Sequence, residues 1–352
     1  MQARLRLISL SPLLLVAACG GGVDRADPDA PDPTPACTTI DDQVLATDIT
    51  LLDAIMIDGE PVALVATSTG AAVIQGGVTT PIAIKATEGS LARDGQGVVA
   101  LLRDATARTT YVAQAPDFAP VDTQLDDDLS KPHLAYAKRA CTTSTGCIDL
   151  DQLTVFFQGG FASASAAHRT GSTWSEEELY MSSVSWIEDV ADLEGDLIAC
   201  ARYTSSAVLL GHHPYRGELD DLEGWAARGP GCAVATHGRD VAMVLGSTPA
   251  RLARWTVPLM PSAPWPTPAA TTDLPMMISA YDLATEDGTL VLAYTDQDNV
   301  LHLAIESAGT WTEQPAPALR TSRAPILVSD AEARHLVVAT PTRELHYARS
   351  CR

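Results

Sequence analysis

The chain has 352 residues, 46% of them hydrophobic, and a formal net charge of −21. That acidity argues against a nucleic-acid partner and against anionic lipid headgroups, both of which attract clustered Lys and Arg. The length suffices for a large folded core, and seven cysteines point to an oxidising compartment.

The first segment is an export signal. Arg4 and Arg6 precede an apolar run, Leu7 to Ala18, interrupted by Ser9, Ser11 and Pro12. The run has about 12 residues, short of the roughly 20 that a membrane-spanning helix needs, and it suits the apolar core of a signal peptide. It ends in Val16-Ala17-Ala18-Cys19, which resembles the lipobox of bacterial lipoproteins. The resemblance implies cleavage before Cys19 and lipidation (diacylglycerol, palmitate) of its thiol. It also implies a membrane contact through acyl chains, each buried methylene of which contributes about 0.8 kcal/mol. In that family an Asp after the cysteine commonly marks inner-membrane retention. Gly20 therefore implies an outer-membrane lipoprotein facing the periplasm or the cell exterior.

Residues 20–36 read GGGVDRADPDAPDPTPA, with four Pro and four Asp. Such a segment buries too little to fold, and its prolines keep it extended to roughly 50 Å at most. The expected organisation is a signal peptide at 1–18, a lipidated tether at 19–36 and one folded domain at 37–352. Removing Arg4 and Arg6 leaves the mature chain near −23.

From residue 37 onward, short Val/Leu/Ala-rich runs alternate with turn residues, an all-β pattern. A short apolar segment, a polar turn and a longer apolar strand recur together. The copies are IMIDGEPVALVAT from Ile55, LARDGQGVVALL from Leu91, VADLEGDLIACA from Val190, VATHGRDVAMVL from Val234, LATEDGTLVLAY from Leu283 and VSDAEARHLVVAT from Val328. A less regular copy centres on LDQLTVFF from Leu150. The longer strands centre near residues 64, 100, 156, 199, 243, 292 and 338, about 36 to 56 residues apart, the length of a propeller blade. The expectation is a seven-bladed β-propeller of four-stranded blades, with six blades as the alternative. The final repeat supplies three strands, and Val44 to Leu52 is expected to be its missing outer strand, closing the ring so that no sheet edge stays open.

Gly171-Ser172-Thr173-Trp174 and Gly309-Thr310-Trp311 resemble the end of the Asp box of sialidase-like (BNR) propellers. Arg169 and Ser307 stand where that motif has its Asp. The resemblance implies a propeller and, as an alternative function, a glycan-acting hydrolase. Arg93, Arg202, Tyr203 and Glu188 are the residues that would serve it, without a local motif to support them. Trp174, Trp225 and Trp311 each follow a Gly near a blade end and are expected to pack between blades, with sugar stacking as the sharper alternative.

With Cys19 lipidated, six cysteines remain, which allow fifteen pairings. Position points to Cys141–Cys147 across a short turn, Cys37–Cys351 joining the chain ends, and Cys200–Cys232. No C-x2-C spacing suggests zinc. No P-loop, dinucleotide fingerprint, G-x-S-x-G or H-E-x-x-H occurs, so no cofactor, metal or catalytic set is expected. His212-His213 is the only paired histidine. His168, His237 and His335 fall in different repeats without a common register. The acidic clusters Asp126–Asp128, Glu176–Glu178, Asp220/Asp221/Glu223 and Asp296/Asp298 lack a calcium-loop pattern and read as solvated turns. The sequence thus favours a monomeric, non-enzymatic binding or scaffold module of the cell envelope, with a glycan or protein ligand at the loops or central channel of one face.

Overall fold

The computed structural model describes residues 41–351 apart from 105, 126–128, 140–149, 159–163, 179–183, 194–195, 204–205, 214–217, 226–230, 247–248, 257–269 and 331. The described residues all belong to one compact unit, Thr38–Arg352. Cys19, Cys37, Cys141, Cys147 and Asp126–Asp128 lie outside the described residues.

Among the described residues, twenty-eight strands form seven sheets of four. Six blades are simple antiparallel meanders, each starting with a strand from the repeat: Thr50–Ile57, Glu88–Asp94, Ser130–Arg139, Val184–Leu193, Cys232–His237 and Ala280–Glu286. We number these blades 1 to 6. Blade 7 combines Ile326–Ser329, Ala333–Ala339 and Leu345–Cys351 with an outer strand from the other end of the chain, Asp41–Ala46. Asp41 pairs with Arg349 and Val44 with His346. The domain is therefore a β-propeller whose ring is closed by the N-terminal strand. The closing strand lies a few residues earlier than the sequence suggests. Val44 to Leu52 straddles a bend in which Asp48 adopts φ +59°, and Thr50 to Leu52 already belong to blade 1.

The apolar runs form second strands because these are covered on both sides. Val62 to Val65, Val99 to Leu102 and Leu290 to Ala293 are all at most 1% exposed. A strand buried on both faces reads as a continuous apolar run rather than an alternation. Two-residue turns link many strands. Asp58-Gly59 and Asp287-Gly288 both have positive φ at each position, the type I′ geometry that suits the twist of a hairpin.

Seven hydrophobic clusters fill the seams, one between each pair of neighbouring blades. The cluster that closes the ring joins Leu51, Ala63 and Ile74 of blade 1 to Val337, Leu345 and Tyr347 of blade 7. Each fully buried Leu, Val or Phe contributes about 1.5–3 kcal/mol, so the seams are the main cohesive element. Trp174 packs on the seam between blades 2 and 3, and Trp311 on that between blades 5 and 6, as the sequence leads one to expect. Cys200 and Cys232 are disulfide-bonded, with Cα atoms 6.2 Å apart, inside the usual range for such bridges. The bond links the second strand of blade 4 to the first strand of blade 5. The backbone of Cys351 pairs with Ala333 at the end of blade 7.

Candidate functional site at the propeller axis

The first strand of every blade packs against the first strands of its two neighbours, including blade 7 against blade 1, so these strands surround the axis. Each pairs with its second strand on one side only. Its other edge faces the channel, and a buried sheet edge needs partners for its N–H groups.

The registers align one position in all seven blades: Asp53, Ser90, His133, Asp189, Ala233, Asp282 and Ile326, paired with Leu64, Leu101, Phe156, Cys200, Val244, Ala293 and Val337. The backbone N–H of the following residue bonds a side-chain oxygen in every blade. Four of these bonds run from one blade to the side chain of the blade before it. Leu91 N donates to Asp53 Oδ2 at 2.7 Å, Leu134 N to Ser90 Oγ at 2.9 Å, Val234 N to Asp189 Oδ2 at 2.8 Å and Leu327 N to Asp282 Oδ2 at 2.7 Å. The other three stay within a blade. Ala54 N, Val190 N and Leu283 N donate to Oδ1 of Asp53, Asp189 and Asp282, each at 2.8 Å.

The division has a cause. The blades that precede Ala54 and Leu283 offer Ile326 and Ala233, which carry no acceptor. The blade that precedes Val190 offers His133, whose Nε2 instead lies 3.1 Å from the Ile187 carbonyl. In each of these three cases the blade carries its own Asp, which serves its own N–H with Oδ1 and the next blade with Oδ2. Three carboxylates and one hydroxyl thus supply seven oxygens for seven N–H groups. Asn would not serve here, because it offers one oxygen and adds donors where donors are already in excess. β-Bulges beside Asp53 and Asp189 aim their side chains toward the axis.

Burial drives the titration of this ring. Desolvation pushes Asp53 and Asp282 up to about 6, against the opposing effect of their N–H bonds. Asp189 is raised well above the usual carboxylate range, by burial first and then by the negative charge of Asp282. Burial pushes His133 down to about 4, so it is neutral near pH 7.

Above the ring lies a cavity of about 800 Å³. It opens on the face where the first strands begin, and Lys131, Glu188 and Arg323 join the three Asp in its lining. Arg323 donates to the Leu51 carbonyl at 3.0 Å, tying the connection between blades 6 and 7 to blade 1. The opposite face carries the turns between first and second strands.

Of the residues suggested for a sialidase-like site, Glu188 lines the cavity, whereas Arg93 pairs with Asp58 at 2.8 Å on the exposed turns of the opposite face. Arg202 and Tyr203 lie on the second strand of blade 4. Gly171-Ser172-Thr173-Trp174 and Gly309-Thr310-Trp311 occupy equivalent places, at the turns between third and fourth strands of blades 3 and 6. His212-His213 ends the third strand of blade 4, and Glu176–Glu178 and Asp220/Asp221/Glu223 belong to outer strands rather than turns. Their side chains lie outside the described residues, as does that of Trp225. Asp296 caps its hairpin by accepting from Asp298 N and Val300 N, both at 2.9 Å. His168 and His335 are buried at 4% and 1% exposure, bonded to Thr154 and to Tyr347 and Asp330, and His237 sits exposed at a turn. Among the described residues, no three His, Cys, Asp or Glu are grouped to hold a metal ion. No helix among them is long and apolar enough to cross a membrane.

The ring acids carry a sequence signal that the acidic clusters obscure. Asp53 and Asp282 are each the single Asp of their first strand, in LLDAI and AYDLA, whereas Asp189 in IEDVA shares its strand with Glu188 and Asp192.

No protein-family model matches the chain, and no curated protein does. Solved structures do. BBS1N in complex with ARL6DN aligns at 12% identity over 90% of this chain and 97% of that one, with a TM-score of 0.58. YCF48 from Cyanidioschyzon merolae aligns at 11% identity over 88% and 98%, with a TM-score of 0.57. The Dos1 propeller aligns at 8% identity over 86% and 78%, also with a TM-score of 0.57. At these identities the likeness establishes the propeller fold and no more.

Proposed function

We propose that the chain is a lipid-anchored lipoprotein of the outer membrane whose propeller binds a protein or glycan partner at the channel mouth. One observation carries the binding role. The ring acids are committed to backbone N–H groups, whereas the mouth above them presents Lys131, Glu188 and Arg323 around a cavity of about 800 Å³. Propellers place such functional groups on loops held by a rigid scaffold. The similar propeller BBS1N was crystallised with ARL6DN, and another similar chain belongs to the mitotic checkpoint complex, which supports a protein ligand. The anchor rests on Val16-Ala17-Ala18-Cys19, the outer-membrane address on Gly20, and the spacing from the bilayer on the Asp/Pro segment after it.

A photo-crosslinking residue at Ala324, on the exposed rim of the mouth, tests the reading against one at Gln96 on the opposite face. Adducts from Ala324 and none from Gln96 on intact cells support it. Equal labelling, or none from Ala324, refutes it. Cys19→Ser should release the protein from outer-membrane fractions, and retention there would refute the anchor. Protease shaving of intact cells reads its side, since released peptides mean the exterior and release only after lysis means the periplasm.

A second reading, a glycan hydrolase, is favoured by the raised pKa values of Asp53, Asp189 and Asp282 beneath the same cavity, since carboxyl groups shifted toward neutrality are suited to acid–base work. Turnover of fluorogenic glycosides, abolished by Asp189→Asn, would establish it.

A further inference from the structure

We propose that the seam between blades 5 and 6 binds a small aliphatic zwitterion, a free α-amino acid, with its carboxylate on Arg254, its ammonium on Asp240 and its side chain against alanines.

The site is a cavity of about 270 Å³ on the face opposite the channel mouth, at the small end of ligand cavities. Its space follows from the registers. Two residues toward the turn from the axial level, the second strands of six blades carry Val62, Val99, Thr154, Ile198, Val291 and His335. Blade 5 carries Ala242 there, and strand pairing sets it in a row with Ala235, Arg254 and Ala270. Three alanines around one arginine leave room that a larger side chain would fill. Leu290 of blade 6 closes the far wall.

Opposite charges face this space without meeting. Arg254 Nη2 donates to Glu306 Oε2 at 2.7 Å across the seam. Glu306 is buried, and its other oxygen accepts from Gly309 N at 2.6 Å, so a fixed carboxylate holds the guanidinium in place. Glu306 is the only partner of Arg254 among the described residues, and Nε and Nη1 remain available as donors. Asp240 lines the same cavity, with Oδ1 accepting from Thr256 Oγ1 at 2.6 Å and Oδ2 left without a partner among the described residues. Asp240 and Arg254 make no ion pair with each other. His237 stands beside them with its ring over Gly288, where a Cβ would lie 3.4 Å from Cδ2.

A ligand that carries both charges satisfies both groups. The guanidinium takes a carboxylate, and Asp240 takes an ammonium, each through charge-assisted hydrogen bonds. A simple anion would meet Glu306 and Asp240, and a simple cation would leave the Arg254 donors unused. Ala235, Ala242 and Leu290 offer an aliphatic surface. The indole of Trp255 packs into the seam with blade 4 instead, so it offers no ring face to a sugar. The site lies apart from the channel mouth and does not depend on the partner proposed there.

The test is calorimetric titration of the full chain in detergent with L-leucine, beside N-acetyl-L-leucine, which lacks the ammonium, and L-leucinamide, which lacks the carboxylate. Leucine should bind at millimolar concentration or below, and each analogue about 10-fold or more weakly, since each loses a charge-assisted hydrogen bond. These comparisons need no variant. Arg254→Gln should erase the preference for leucine over leucinamide, and Asp240→Asn the preference over N-acetyl-leucine. Ala242→Val places in the cavity the side chain that blades 1, 2 and 6 carry at this level, and should abolish binding. No heat with leucine, analogues that bind as well as leucine, or undiminished binding by Ala242→Val would overturn the proposal.

Discussion

The seam between blades 6 and 7 contains an ion pair whose loss should be severe. Glu286 and Arg334 are each 7% exposed. Arg334 Nε and one terminal nitrogen donate to Glu286 Oε1 and Oε2 at 2.7 and 2.9 Å, and Ser329 Oγ donates to Oε1 at 2.8 Å. Glu286→Ala strips the guanidinium of its bidentate partner while leaving it buried. Removing one member of such a pair costs about 3–5 kcal/mol, and the orphaned Ser329 hydroxyl adds about 1 kcal/mol. For a domain of this size, roughly 2 °C per kcal/mol translates that into a melting temperature about 8–12 °C lower. Replacing both partners together, Glu286→Leu with Arg334→Met, removes the desolvation cost along with the attraction and should restore most of the loss. Calorimetry of the chain, the single variant and the double variant reads all three. A single variant within 1 °C of the parent, or a double variant as unstable as the single, would refute this account of the seam.

Reducing the Cys200–Cys232 bridge reopens a loop spanning a separation of 32 residues. The chain-entropy model gives at most about 3–4 kcal/mol, so reductant should lower the melting temperature, and an unchanged melt would contradict the bridge. Gly89→Ala should destabilise blades 1 and 2, because a Cβ there would lie 2.7 Å from Leu64 Cδ2 and 2.8 Å from the Leu101 carbonyl; a variant as stable as the parent would show that the seam yields. On the acid side, Asp330 contributes to stability as a carboxylate. Burial raises it, but the N–H bonds of Glu332 and Ala333 and the contact with His335 outweigh this and hold it at about 2. Its contribution is complete above 3.8 and lost as pH falls toward 2, so stability read by urea unfolding should drop between about pH 4 and pH 2, more in the parent chain than in Asp330→Asn; an equal drop in both would contradict the assignment.

The repeat was legible because second strands are covered on both faces. Runs such as PVALVAT and TLVLAYT have no polar register to confuse them, and Asp-Gly turns mark where each begins. The outer strands were harder to place. Asp41–Ala46 opens with two Asp and reaches solvent, so its strand character comes from pairing with Leu345–Cys351 rather than from its own residues. The axial ring was missed for another reason. A lone Asp in LLDAI or AYDLA looks like a surface position, and only the registers reveal that it shares one axial level with Asp189. The Glu286–Arg334 pair spans 48 residues and two blades, a distance over which sequence pattern alone carries no pairing information.

The central claim is that side-chain oxygens at the axis satisfy the channel-facing N–H groups of all seven first strands. Native-state hydrogen exchange at neutral pH measures this directly at Ala54, Leu91, Leu134, Val190, Val234, Leu283 and Leu327. The account predicts that all seven amides are protected to the level of the neighbouring second strands, and that Asp282→Ala releases Leu283 and Leu327 selectively. Rapid exchange at these positions in the parent chain, as for an open sheet edge bathed by channel water, would contradict it.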